Sequence, residues 1–385
     1  MLTTPGVVFF FAMQDKELFR CPALADVHVH FREPGFAYKE TIRGGCEAAA
    51  AGGYTCVCTM PNLNPAPDTP STLGTQLDII RRDAIIDVLP YATITMGRKG
   101  LKPVDMAALK GMVAGFSDDG SGIQHEEVML KAMRQAAELG VIIAAHCEDN
   151  SLLRGGYIHD GFYAREHGHK GICSESEWGQ IARDLELAER TGCAYHVCHI
   201  STKESVDVIR KAKARGVNVS CETAPHYLLL TDADLQEDGR FKMNPPLRSA
   251  ADRDALIEGL LDGTIDMIAT DHAPHTAEEK SRGLEHSAMG IVGLPVAFPL
   301  LYTGLVCKGI ITLDKLVDLM STAPRRRFNL PAADGDYALF DLDTPYVIDA
   351  AAFPGHGHST PFDGWEVKGR CVRTVHNGNT IFNII

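Results

Sequence analysis

Leu24-Ala25-Asp26-Val27-His28-Val29-His30 alternates apolar and polar side chains before running into Phe31-Arg32-Glu33-Pro34-Gly35. A period of two marks a β-strand, and it turns His28 and His30 to one face. Two imidazoles one strand-pitch apart can grip a single metal ion. Zinc suits them chemically, but a tetrahedral site needs further ligands from elsewhere in the chain.

Outward from this stretch, the sequence repeats a short apolar run, a polar loop and an amphipathic segment. The apolar runs are Leu24 to His30, Tyr54 to Met60, Asp87 to Thr95, Val113 to Ser117, Val141 to His146, Ala194 to His199, Val217 to Glu222 and Met267 to Thr270. Helical patterns lie between them: Lys39 to Ala51, Ser71 to Asp83, Glu126 to Leu139, Glu175 to Arg190, Lys203 to Arg215 and Ala250 to Leu261. Eight strands alternating with helices predict an α/β fold with a parallel sheet, closed into an eight-stranded β/α barrel. A doubly wound open sheet is the alternative, but no glycine-rich dinucleotide fingerprint follows the first strand. Helical stretches continue over Leu294 to Cys307 and Leu313 to Phe328. After them, Tyr337 to Leu342 and Cys371 to Phe382 read as antiparallel strands, the latter pair closed by Asn377-Gly378. The expected organisation is a barrel over 24–330, a small β appendage over 331–385, and a short segment, 1–23, that joins the appendage.

Composition narrows the function. The chain has 385 residues, 45% hydrophobic, with a formal net charge of -13. That carboxylate excess argues against a nucleic-acid surface. The run Gly6 to Met13 is too short to span a bilayer and has no basic flank, so neither a membrane segment nor a signal peptide is expected, and the cytoplasm is the expected location. The eleven cysteines are odd in number and sit in apolar runs, as at Cys56-Val57-Cys58. They read as buried reduced thiols rather than as disulfides or metal ligands. His356 and His358, in a glycine-rich loop, read as solvent-exposed.

In a β/α barrel the active site gathers where the strands end. His28 and His30 end the first strand here, Met60-Pro61-Asn62 the second and Ser117-Asp118-Asp119-Gly120 the fourth. Ala145-His146-Cys147-Glu148 ends the fifth, Cys198-His199 the sixth and Thr270-Asp271-His272 the eighth. One histidine at a strand end is ordinary; histidine or aspartate at five of eight ends is a metal site. His28 and His30 can hold one ion, His146 and His199 a second, and Asp118 or Asp119 can bridge them. Asp271 can bind the first ion and carry a proton. Spacing does not choose between Asp118 and Asp119. His196 precedes His199 by three, an odd offset that points it away from the metals, so it reads as structural, and His226 reads as a reserve ligand. His272 faces away from the site, and Arg325-Arg326-Arg327 reads as a solvated helix end. Two metals would lower the pKa of a bridging water and polarise a carbonyl, which is machinery for amide hydrolysis.

These motifs, with His-Val-Cys-His-Ile-Ser-Thr at 196–202, Lys-Met-Asn-Pro-Pro-Leu-Arg-Ser at 242–249 and Ala-Thr-Asp-His-Ala-Pro-His at 269–275, resemble the type I dihydroorotases of the amidohydrolase superfamily. The resemblance runs from about residue 24 to 330. It implies a zinc-dependent interconversion of N-carbamoyl-L-aspartate and L-dihydroorotate in pyrimidine biosynthesis, through attack by a metal-bridged hydroxide. It further implies a binuclear zinc centre held by His28, His30, Asp119, His146, His199 and Asp271, with Asp119 as the bridge and Asp271 as general acid/base. Arg32, Asn62 and His275 would hold the substrate carboxylate, and Asn244 would read the pyrimidine ring; a guanidinium fork and an amide suit such a carboxylate. The resemblance also brings a homo-oligomer and an aspartate transcarbamoylase partner into consideration.

Relatives of this kind carry some fifty residues before the His-x-His strand where this sequence has 27. A reduced β-sandwich is therefore expected, with at most one strand from Val7 to Phe11 and an edge open to a partner. Two rival functions share much of the pattern. A hydantoinase or allantoinase binds a ring without the carboxylate, which Arg32 and Asn62 disfavour; a silent scaffold for the transcarbamoylase would have lost ligands. The polar loop Thr276 to Met289 is expected to act as a mobile lid.

Overall fold

The computed structural model describes residues 18–385; the expected strand between Val7 and Phe11 lies outside them. Eight parallel strands form one sheet: β2 (Leu24–Val29), β3 (Tyr54–Thr59), β4 (Asp87–Ala92), β5 (Gly115–Phe116), β6 (Ile142–Ala145), β9 (Ala194–Val197), β10 (Val219–Thr223) and β11 (Met267–Ile268). They pair in chain order, and a parallel bridge from Val29 to His272 joins the two edges. His30 N donates to His272 O at 2.8 Å across this seam, and the buried Asp26 carboxylate accepts from both His28 N and Thr270 N, at 2.9 and 3.0 Å. The closed barrel expected from the alternation is what forms, with every strand inside the stretch read for it except β10, which runs one residue further, to Thr223.

The helices start where side chains can cap them. Thr41, Thr202 and Ser249 accept from the backbone N–H three residues on, and Gly140 and Gly192 close helices in the left-handed conformation. Helix-facing strand residues join the main core, while a second cluster fills the barrel: Ala25, Val27, Cys56, Cys58, Tyr91, Ala144, Met267 and Ala269, floored by Phe328 and Leu330. Small residues recur because opposing strands leave little room between them. No disulfide forms, and all cysteines except Cys173 and Cys307 are buried.

A register shift between Asp26 and Val29 changes the phase of β2. Ala25 and Val27 therefore pack into the barrel core, yet His28 and His30 also point inward at its mouth. This irregularity lets one strand supply both floor and ligand-type residues.

A four-stranded antiparallel sheet lies beside the barrel in the order β1 (Phe19–Pro22), β12 (Tyr337–Asp341), β15 (Arg370–His376), β16 (Asn379–Asn383). Asn377 and Gly378, with φ 50 and 75°, make the expected hairpin turn. Two small pairings lie outside the sequence reading: β7 (Ile158–His159) with β8 (Gly171–Ile172), and β13 (Tyr346–Val347) with β14 (Glu366–Val367). Among the described residues no helix is long and apolar enough to cross a membrane.

The arginine cluster departs from its reading as a solvated helix end. Only Arg326 is exposed. Arg325 donates to Ala23 O at 3.1 Å, and Arg327 to Ser220 Oγ at 2.7 Å and Tyr195 O at 2.9 Å, so both tie strands at the barrel floor. His356 and His358 are exposed, as expected.

Candidate active site

Asp119 is the centre of the barrel mouth. Ser117 Oγ accepts from its backbone N–H at 3.0 Å, which shapes the turn after the two-residue strand β5. One carboxylate then reaches four imidazoles: His28 Nε2 at 3.4, His30 Nε2 at 3.5, His199 Nε2 at 3.5 and His146 Nδ1 at 3.7 Å. Asp271 Oδ1 completes the group at 3.0 Å from His30 Nε2 and 3.5 Å from His28 Nε2. Thus the six residues expected as ligands meet at one place. His28 Nε2 and Asp119 Oδ1 are buried with no hydrogen-bond partner among the described residues. Such orphaned atoms, facing one another in a set of imidazole and carboxylate donors, fit a metal centre. His28, His30 and Asp119 form one group of ligand atoms within 4.8 Å of each other, and Asp119, His146 and His199 form another.

Asp118 does not join them. Its carboxylate accepts from Ile94 N at 2.8 Å, Thr95 N at 3.1 Å and Thr95 Oγ1, so it pins the end of the neighbouring strand. Of the two neighbouring aspartates, Asp119 is the one that faces the imidazoles.

Two residues are in sparsely populated backbone conformations. His199 has φ 33° and Asp271 φ 48°, in the left-handed region that disfavours side chains by about 1 kcal/mol or more. His199 comes two residues after the end of β9 and Asp271 three after the end of β11, and the turn carries their side chains over the mouth.

The electrostatics follow from burial and crowding. Burial alone would raise the Asp119 carboxyl, but the surrounding imidazoles, His28 first, hold it well below the usual carboxylate range. Asp271 shifts down in the same way against burial, through its bond to His30 and the His28 charge. Burial, with Arg32 and Lys39 alongside, lowers His275 to about 3 and keeps it neutral.

A residue that sequence reasoning missed stands behind His28. Glu222, at the end of β10 and 1% exposed, takes His28 Nδ1 at 2.7 Å on Oε1 and His196 Nε2 at 3.0 Å on Oε2. A carboxylate only accepts, so His28 carries a proton on Nδ1, and its Nε2 is the ring nitrogen that faces Asp119. Glu222 is lowered to about 2, burial being outweighed by His28 and His196. The signal was present: Glu222 is an ionisable residue at a strand end, like those that were chosen. His196 is structural as expected, though not turned away. It lies inside the barrel and reaches His28 through Glu222, because β9 ends at Val197 and the count of three to His199 does not run along a strand. His226 is buried against Tyr227 and lies outside both ligand groups. His272 accepts from Gly293 N on Nδ1, away from the mouth.

Beside this cluster opens a cleft of about 230 Å³, lined by Arg32, Asn62, Asn244 and His275 together with His30 and Asp271. Its size suits a small ring. Asn62 Oδ1 is 3.0 Å from His30 Nδ1. Arg32 donates Nε to Pro274 O at 3.2 Å and places Nη2 3.3 Å from His275 Nε2. Asn244 donates Nδ2 to Glu148 Oε1 at 2.9 Å, and Glu148 Oε2 is 3.6 Å from His146 Nε2.

Known proteins share this arrangement of sequence and fold. The family model described as Dihydro-orotase-like matches residues 19–205. The dihydroorotase of Bacillus caldolyticus is 53% identical over 369 residues, covering 94% of this chain and 86% of that protein. That of Enterococcus faecalis is 51% identical over 365 residues, covering 93% and 86%. Among solved structures, the L-hydantoinase (dihydropyrimidinase) from Arthrobacter aurescens aligns with a TM-score of 0.83 at 26% identity, over 95% of this chain and 86% of that one. The dihydropyrimidinase from Brevibacillus agri NCHU1002 shares the fold at 22% identity with a TM-score of 0.82, over 95% and 85%. Identity to the dihydroorotases is about twice that to the hydantoinases. With a metal-fitted barrel mouth beside a small polar cleft, the chain belongs to the dihydroorotase family: it is an amidohydrolase-superfamily enzyme acting on a cyclic amide.

Proposed function

We propose that this enzyme interconverts N-carbamoyl-L-aspartate and L-dihydroorotate with two zinc ions, His28, His30 and Asp271 holding the first, His146 and His199 the second, and Asp119 both. The observation that carries the reading is the Asp119 carboxylate, within 3.7 Å of four imidazole nitrogens while its own Oδ1 has no hydrogen-bond partner among the described residues. Two zinc ions bound there would supply an acidified water and polarise the scissile carbonyl.

The chain's own groups do the rest. Arg32 offers a guanidinium fork to the substrate carboxylate beside Asn62 and the neutral His275, which fixes the ring in one orientation. Asn244, its amide nitrogen occupied by Glu148, presents Oδ1 as an acceptor for a ring N–H. Asp271 sits next to both His28 and His30, where it can accept a proton from the attacking water and return it to the leaving nitrogen. A carboxylate held ionised is suited to the first half of that exchange. Arg32 also favours a carboxylated ring over the plain hydantoin or allantoin ring of the rival reading.

The test is hydrolysis of dihydroorotate followed by its ultraviolet absorbance, with metal analysis of the isolated chain. Two zinc equivalents and turnover are expected, together with loss of turnover in Asp271→Ala at unchanged circular dichroism. Full turnover by Asp271→Ala would remove the acid/base assignment.

A further inference from the structure

The loop after the last barrel strand is built around a buried lysine. It holds two short helices, Ala277–Lys280 and Gly283–His286. Lys280, the last residue of the first, turns inward, 6% exposed, and its Nζ donates to three backbone carbonyls: Lys242 O at 3.0, Ala288 O at 2.8 and Gly290 O at 2.7 Å. An ammonium has three donors and no acceptor, so three carbonyls satisfy it completely. Lys242 returns the contact, its Nζ donating to Glu285 O at 2.6 Å, and Gly290 N donates to Lys242 O at 3.0 Å.

The bracketed residue is the one that faces the site. Ala288 and Gly290 flank Met289, whose carbonyl is 2.9 Å from His275 Nε2, and Met289, Gly290 and Asn244 all line the cleft. Gly290 has φ 137°, and a Cβ there would come within 2.5 Å of Ala273 O. At Gly290 the wall is therefore backbone packed against backbone, and its position depends on what holds the carbonyls.

We propose that Lys280 is a positioning residue for substrate binding: its ammonium fixes the Met289–Gly290 wall, and through it His275, against the segment that carries Asn244. The carboxylate-binding and ring-binding sides of the cleft are then formed before substrate arrives. This rests on the reading of the cleft as the dihydroorotate site.

The experiment compares the zinc-loaded chain with Lys280→Met, which keeps the length of the side chain and removes its donors. KM for dihydroorotate rises about tenfold while kcat stays within about threefold. Zinc content is unchanged, and hydrogen exchange quickens over residues 276–290 and 239–245 without change in the barrel strands. An unchanged KM, or a loss confined to kcat, overturns the proposal. Where Lys280→Met fails to fold, Lys242→Met removes the Nζ bond to Glu285 O and its approach to the Tyr157 ring, and is expected to show the same local exchange with a smaller rise in KM; no change there overturns it equally. If the unaltered chain does not hydrolyse dihydroorotate, the substrate reading fails, and the exchange comparison alone decides whether Lys280 holds the wall.

Discussion

The two histidine pairs at the barrel mouth are held in different ways. His28 and His30 come from one strand, and each has its rear nitrogen bound by another side chain: His28 Nδ1 by Glu222 at 2.7 Å and His30 Nδ1 by Asn62 at 3.0 Å. His146 and His199 come from two strands and lean on each other, Nδ1 to Nε2 at 3.0 Å. Their rear nitrogens, His146 Nε2 and His199 Nδ1, have no hydrogen-bond partner among the described residues, Glu148 standing 3.6 Å from the former. Outer partners fix ring orientation and tautomer, and losing them costs metal affinity. The first pair is thus organised in advance and the second is organised by whatever it binds. With two ions bound as proposed, stepwise chelation is expected to strip the one at His146 and His199 first. Simultaneous loss of both ions across the titration would break the comparison.

The largest effect should come from the residue both halves share. Asp119→Asn keeps the shape but removes the charge that faces four imidazoles, so both ions are expected to be lost and activity with them, while the apolar barrel core remains folded. Metal analysis and circular dichroism of the purified variant check this. Retention of two equivalents would remove Asp119 as the common ligand.

Glu222→Gln comes next. The amide oxygen can still accept from His28 Nδ1, but without charge the bond is about half as strong. Affinity at the first position should fall about tenfold to a hundredfold, read by competition with a zinc chelator. Glu222→Leu should be worse, because it also leaves His196 Nε2 buried without its partner. If either variant weakened the second ion more than the first, the division between the pairs would be wrong.

How far the sequence foretold this arrangement depends on whether a residue obeys its own strand. The eight runs alternate with helical patterns, and the barrel follows from that rhythm alone. His28, His146 and Asp271 were legible as polar residues at strand ends. The choice of Asp119 over Asp118 was not, because it turns on Ser117 capping one and Thr95 holding the other, a contact across 23 residues. The phase of β2 was hidden too, since a register shift is defined by the partner strand. His196 looked misplaced because an offset of three assumes a continuing strand, whereas His199 has already turned to φ 33°. Phe19–Pro22 gives no alternating signal of its own, and becomes a strand only through Tyr337–Asp341 opposite.

The smallest effect, and the most discriminating, is expected at Glu148. Its carboxylate faces His146 Nε2 at 3.6 Å, beyond hydrogen-bond distance, but holds Asn244 Nδ2 at 2.9 Å. It therefore supports the substrate side more firmly than the metal side. In Glu148→Gln the amide can offer either end to Asn244, which frees Asn244 to turn its nitrogen towards the ring and lose the acceptor it presents. KM should rise about threefold to tenfold with zinc content near that of the unaltered chain. The opposite result, zinc lost at unchanged KM, would make Glu148 to His146 what Glu222 is to His28. The two pairs would then be alike in their support, and the expected order of metal loss would have no structural cause.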